Sequence, residues 1–217
     1  VAATGLAAAA IWHYRTGQQQ SVTVDMKQSA IAFRSERYTT IDGSSAHQPV
    51  DEIHGFYRCG DGGWVQLHTN YPSHRSGIVT ILQCESNRLG VQRALDKISA
   101  SHAEGLFTEN GLPAGMMRTL EAWSEHPQGI AVSGLPLLQI DKIGDSPPLT
   151  LGDSPERPLD SVRVVELTKV IAGPLIGRTL AEHGAEVLWL NSPHLDLIEE
   201  LVIDMSRGKN TANIDIR

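Results

Sequence analysis

The chain has 217 residues, which predicts one large domain or two small ones, and its 41% hydrophobic and 20% charged content excludes a disordered protein. The net charge of −7 argues against nucleic acid or an anionic membrane as the main partner. Only two cysteines, Cys59 and Cys84, are present, and they lie in no CxxC pair. They cannot form a disulfide framework or a four-ligand zinc site by themselves, so a reducing cytoplasm is expected.

The first 143 residues predict a mixture of short helices and strands. In chain order these are a helix over 5–15 that ends at Gly17, a strand over 21–26, a helix over 27–38, a loop over 39–49, a hairpin of 55–59 and 64–68 around a glycine-rich turn, two or three helices over 74–110, a loop over 111–115, a helix capped by Thr119, and a strand over 136–143. This range is expected to be a smaller α+β domain with helices at its N-terminal side.

Residues 144–158 hold four prolines and two glycines, a composition that blocks both a helix and a central strand. We therefore expect a linker here. It separates a first region, 1–143, from a second, 159–217.

The second region predicts strand, helix and strand over 162–167, 174–183 and 186–190. Such a βαβ unit implies a parallel sheet, to which a helix over 195–202 and a strand over 211–216 would add. The fold class expected for the whole chain is α/β, with a Rossmann-like βαβ segment at the C-terminal end.

The turn 169–174 joins the first of these strands to its helix, and phosphate-bearing ligands bind at such turns in doubly wound sheets. A dinucleotide site would need GxGxxG and an acidic residue ending the second strand. The chain offers only Gly173 and Gly177, with Asn191 at the strand end, so an NAD-dependent oxidoreductase is disfavoured. A role without any ligand explains the two glycines equally well, because they would allow a tight turn and close helix packing.

Arg207 and Lys209 flank a glycine just before a predicted strand and could bind an anionic group, although most such pairs are solvated surface. Nine histidines form no HExxH motif and no serine lies in a GxSxG turn, so neither a metal site nor a serine nucleophile is expected.

The run PLDSVRVVELTKVIAGPLIGRTLAEHGAEVLWLNSP, followed by RGK and NIDIR, resembles the start of family III coenzyme A (CoA) transferases, the CaiB/BaiF group. The earlier segments GLAAAAIWHYRTGQQQSVTVDMKQSAI, FYRCGDGGWVQL, ENGLPAGMMRTLEAWSEHPQ and PLLQIDKI are similar to a later part of the same family. In this chain, the segments similar to the later part of the family therefore precede the segment similar to its start. Two fused copies would explain this order, with residues 1–143 as the tail of the first copy and 159–217 as the head of the second; a circular permutation is the alternative.

The resemblance implies a reaction in which an aspartate attacks an acyl-CoA, holds CoA as an aspartyl thioester and passes it to a carboxylic acid. That aspartate is expected before Val1 or after Arg217, so no residue here is assigned as nucleophile, neither Asp204 nor Asp215. An acyl-CoA racemase and a non-catalytic CoA-binding half are the alternatives.

The resemblance also implies that Val170, Ile171 and Ala172 lie against CoA, with Arg207 and Lys209 as weaker candidates for its phosphates. Some members carry an arginine near the adenine where this chain has Ser192. Acyl-CoA and a carboxylic acid are the expected partners, without a metal, and the family's interlocked dimers imply an interlocked homodimer or an intramolecular pseudo-dimer.

Overall fold

A computed structural model of the chain describes residues 1–47, 49–148 and 150–215. Contacts divide the chain into two compact units: unit 1 comprises Val1–Pro49 together with Pro148–Arg217, and unit 2 comprises Val50–Pro147. The assignment of the two halves to two copies of one family is a separate question and stays a prediction.

The described residues form nine α-helices, one short 3-10 helix and eight strands. In chain order they are α1 (Ala2–Thr16), α2 (Met26–Phe33), the 3-10 helix (Ser35–Arg37), β1 (Thr40–Ile41), β2 (Ser44–Ser45), β3 (Gly55–Arg58), β4 (Trp64–Leu67), α3 (Pro72–Leu82), α4 (Arg88–Leu95), α5 (Ala100–Glu109), β5 (Ala114–Met116), α6 (Leu120–Glu125), α7 (Pro127–Ser133), β6 (Arg163–Glu166), α8 (Ala172–Glu182), β7 (Glu186–Asn191), α9 (Glu199–Met205) and β8 (Asn210–Asn213). The mixed α/β class predicted from the sequence is confirmed. No helix of the described part is both long and apolar enough to cross a bilayer.

Unit 2 is built on an antiparallel sheet of order β3-β4-β5. The predicted hairpin is confirmed, with Tyr57 opposite Val65 in β3 and β4. Buried side chains of the sheet pack with those of α3, α4 and α5 in one core; the largest side chains of this core are Tyr57, Phe107, Ile53, Leu67 and Ile78.

Unit 1 contains the parallel sheet of order β6-β7-β8. Val164 lies opposite Val187 and Trp189 opposite Thr211, and α8 makes the crossover between β6 and β7. The predicted βαβ unit is therefore confirmed. The strand predicted for 211–216 ends at Asn213, and Ile216 lies outside the described residues.

Residues 1–49 contribute to the same unit. Arg15, in the last turn of α1, donates to the carbonyl oxygens of Pro158 at 2.8 Å, Asp160 at 2.9 Å and Gly152 at 2.9 Å. Gly17 ends α1 in the left-handed conformation, as predicted, with φ of 74°.

Two predicted strands are absent. Residues 21–26 alternate in polarity, but the Asp25 carboxylate accepts a hydrogen bond from the Gln28 N–H at 2.7 Å and caps α2 instead. Residues 136–143 form no regular element, and Leu137 is 99% exposed, because no neighbouring strand lies beside them among the described residues. At 111–115 a loop was predicted and a strand is partly present, because β5 begins at Ala114 within this range.

Candidate functional site

The connection between β6 and α8 is the turn 167–171 at the carboxyl end of the parallel sheet. Ile171 occupies the position before α8 and has no side-chain acceptor, and Pro174 has no N–H, so the first helical N–H groups carry the positive end of the helix dipole without a side-chain cap. Val170 and Ile171 are 41% and 43% exposed. The three residues predicted to lie against CoA, Val170, Ile171 and Ala172, are therefore contiguous at an open helix N-terminus.

Val170 has a φ of 71°, in the left-handed region that β-branched residues rarely adopt. Such a conformation costs about 1–3 kcal/mol and persists only where the surroundings determine it. The turn is thus held in an unfavourable backbone conformation by contacts on either side.

Gly173 and Gly177 allow α8 to lie directly on the end of β6. A Cβ at Gly173 would fall inside contact distance of the Thr168 side chain, and one at Gly177 would fall inside contact distance of the Glu166 carboxylate. The sequence left two interpretations of these glycines, a phosphate-binding role and close packing. The structure shows close packing at both.

Lys209 lies beneath this turn with its side chain fully buried. Its ammonium donates to Glu166 Oε2 at 2.8 Å and to the Pro174 carbonyl oxygen at 2.7 Å, and lies 4.5 Å from the centre of the Trp189 ring. Burial lowers the pKa of Lys209, and the neighbouring Glu166 carboxylate opposes part of that shift. The Lys209 ammonium therefore lies in the interior of unit 1 and is not accessible to solvent.

Arg207 differs from Lys209 in exposure, since 61% of its side chain is accessible. Its guanidinium bonds Asp204 through both the carboxylate and the main-chain oxygen, the latter at 3.1 Å from Nε. The two basic residues that the sequence grouped together therefore have different surroundings.

Asp204 is completely buried and accepts hydrogen bonds from several donors. Besides Arg207, these are Arg178 Nη1 at 2.6 Å, Ser35 Oγ at 2.6 Å and Thr39 Oγ1 at 3.1 Å. The carboxylate joins the segment 35–39 to α8 and α9. Asp215 bonds His194 Nε2 at 3.0 Å, and Ser192 accepts from the His194 N–H at 3.3 Å, all three near the carboxyl edge of the sheet.

The sequence reasoning missed Glu166, Arg178 and Trp189 as members of these networks. A signal for Glu166 was present, because an acidic residue within an apolar strand of a parallel sheet must find a buried cation. Nothing in the sequence indicated which cation.

Three histidines of unit 2 come together without forming a metal centre. The rings of His54 and His68 are 5.0 Å apart and those of His68 and His74 are 6.3 Å apart. Across the ranges that the structure describes, no group of three or more His, Cys, Asp or Glu residues could hold a metal ion.

Comparisons with known proteins relate part of the chain to a known family. Residues 159–215, which contain the turn, α8, Arg207 and Lys209, match the family model described as CoA-transferase family III. The resemblance to family III CoA-transferases is confirmed. The matched range coincides with the parallel sheet of unit 1 and its crossover helix.

Two curated relatives match a longer part of the chain, and a third matches a shorter part. An acyl-CoA transferase of Gibberella moniliformis is 31% identical over 190 residues, covering 81% of this chain and 33% of that protein. An acetyl-coenzyme A transferase of Hypoxylon pulicicidum is 36% identical over 128 residues, 55% of this chain and 22% of that protein. A succinyl-CoA–D-citramalate CoA-transferase of Chloroflexus aurantiacus is 54% identical over 39 residues, 18% of this chain and 10% of that protein. The chain thus spans a third or less of the length of these relatives.

Proposed function

We propose that this chain is part of a CoA-transferase that moves CoA between an acyl-CoA and a carboxylic acid through an aspartyl-CoA intermediate. The observation that carries the proposal is the family III match of residues 159–215, a range that includes the turn 167–171 and the N-terminus of α8. The names of the curated relatives, all CoA or acyl-CoA transferases, agree with transfer chemistry.

In this proposal the main chain of Val170, Ile171 and Ala172 lies against CoA. The turn is at the carboxyl end of parallel strands, where open α/β sheets bind their ligands, and the helix dipole favours a negatively charged group there. Arg207 is accessible to a phosphate while it stays bonded to Asp204, because a guanidinium has five N–H donors and can serve two acceptors. Lys209 was predicted as a second phosphate ligand, but its buried ammonium is directed at Glu166, so we assign the phosphate contact to Arg207.

The nucleophile is proposed to be an aspartate outside residues 1–217. Asp204 is a poor nucleophile, because its carboxylate is inaccessible and each of its oxygens already accepts hydrogen bonds. The proposed aspartate attacks the thioester, holds CoA as its own thioester and releases it to the acceptor acid, which splits one difficult exchange into two easier steps. We further propose a cytoplasmic protein in which this chain is completed by an interlocked partner copy or by a second copy in the same polypeptide.

Titration calorimetry of the full chain with CoA tests the binding step. Ile171→Glu places a carboxylate at the N-terminus of α8 and should weaken binding by about 1–3 kcal/mol, the size of a lost charge-assisted contact. The matched control is Ile130→Glu, which adds the same charge at an exposed position of α7 and should leave affinity unchanged. A folded parent sample that releases no heat at millimolar CoA would contradict the proposal.

Isotope exchange by the complete protein tests the chemistry. Incubation with a labelled carboxylic acid and an unlabelled acyl-CoA should move the label into the thioester. Deuterium entering the α-carbon without label exchange would instead show an acyl-CoA racemase, and binding without either reaction would show a non-catalytic CoA-binding half.

A further inference from the structure

A buried ion pair lies directly beneath the proposed CoA turn. Glu166 ends β6 and Lys209 precedes β8, and both side chains are almost completely buried. Their charged atoms are 2.8 Å apart. A pair at this depth contributes little net stability as a rule, because the loss of hydration offsets the attraction between the charges. Its position therefore calls for another explanation.

The pair is connected to both ends of the turn. Glu166 Oε1 accepts a hydrogen bond from Thr168 Oγ1 at 2.8 Å, while Lys209 Nζ donates to the Pro174 carbonyl oxygen at 2.7 Å. Trp189 Nε1 holds the Thr168 carbonyl oxygen at 2.9 Å. The strand side and the helix side of the turn are thus fixed through one carboxylate and one ammonium.

Between these two fixed ends lies the strained residue of the turn. Val170 keeps its positive φ only if the residues on either side cannot relax. Release of Thr168 or Pro174 would let the turn relax toward the ordinary conformations of a valine, and the N–H groups of 170–172 would then point elsewhere.

We propose that Glu166 and Lys209 are positioning residues that hold the turn 167–171, and with it Ala172, in the CoA-binding conformation, acting through Thr168 and Pro174 without touching the ligand. This inference rests on the proposed function, since it takes CoA as the molecule that the turn binds. It gives the second basic residue of the RGK sequence a role beneath the site and leaves the first, Arg207, at the surface.

The hydroxyl of Thr168 offers the first test. Thr168→Val keeps the size of the side chain and removes the bond to Glu166, and should weaken acetyl-CoA binding by about threefold to tenfold. Thr168→Ser restores the hydroxyl and should restore affinity. Thr211→Val, the same substitution at an exposed position of β8, is the matched control and should bind like the parent.

The ion pair itself is tested by the double variant Glu166→Gln with Lys209→Met. Removing both charges avoids leaving one of them uncompensated, so the chain should unfold near the parent midpoint, yet bind acetyl-CoA about tenfold more weakly or worse. Fluorine NMR of the chain labelled with 5-fluorotryptophan adds a reading that needs no ligand. The Trp189 resonance should shift in the double variant and in Thr168→Val, because its indole contacts both the ammonium and Thr168.

The outcomes separate the two proposals. A parent chain that is folded and does not bind acetyl-CoA would overturn the proposed function and this inference with it. A parent that binds, together with folded Thr168→Val and double variants of equal affinity, would overturn this inference alone. An unchanged Trp189 resonance in both variants would also overturn it, because the turn would then not depend on the pair.

Discussion

Replacing Gly177 by alanine should damage unit 1 although alanine is the better helix former. A Cβ there would fall inside contact distance of the Glu166 carboxylate and 3.1 Å from the Lys209 ammonium. The carboxylate cannot move away cheaply, because Thr168 and Lys209 both bond it. Breaking a buried pair costs about 3–5 kcal/mol and the gain in helix propensity returns about 1 kcal/mol, so we expect a net loss of about 2–4 kcal/mol in the free energy of unfolding.

Urea unfolding followed by fluorine NMR of 5-fluorotryptophan measures this loss for each unit separately, since Trp189 reports on unit 1 and Trp64 on unit 2. The control is Gly105→Ala in the middle of α5, where a new Cβ meets nothing within 4 Å and should stabilise unit 2 by about 0.5–1 kcal/mol. Opposite signs for the two variants are the expected result. A Gly177→Ala chain as stable as the parent would refute the close approach of α8 to Glu166.

Three further outcomes are expected. Asp204→Asn should cost about 3–5 kcal/mol in urea unfolding, because the buried Arg178 guanidinium loses its buried counter-charge and keeps only the exposed Glu182; an unchanged midpoint would contradict that dependence. The Arg118 hydrogen bond lowers the pKa of Glu104, so its contribution is present above about pH 4.3 and is lost as the pH falls through the lowered folded value. Glu104→Gln should therefore flatten the loss of stability of unit 2 in acid, and a slope like that of the parent would rule this out. Arg15→Met should raise hydrogen exchange across 152–160 by about tenfold, because three carbonyl oxygens lose their charged donor; unaltered protection would show that α1 does not hold this segment.

The elements that carry local signals could be predicted from the sequence. The βαβ unit could be predicted because two apolar strands flank a segment with helical spacing of apolar residues. The hairpin could be predicted because glycines mark its turn. The Thr119 cap was also readable, since its hydroxyl accepts from the Ala122 N–H at 3.2 Å. Each of these features depends on residues close together in the chain.

The features that depend on distant residues could not be predicted. Lys209 was interpreted as a phosphate ligand because it forms the RGK triplet with Arg207 and matches a basic position of the family, whereas its partner Glu166 lies far away in the sequence, at the end of β6. The Asp204 network joins side chains from three separate segments, and no spacing rule connects them. Residues 136–143 show the opposite error, because an apolar run indicates a strand only when another strand is present to pair with it.

The contacts of Arg15 and Asp204 also set an order of events during synthesis. The first 49 residues leave the ribosome before all of unit 2, and the segments that bind them follow only afterwards. At about 5–20 residues per second the wait is roughly 5–20 s, far longer than a small domain needs to fold. Unit 2 therefore has time to fold while residues 1–49 still lack the partners that they have in unit 1.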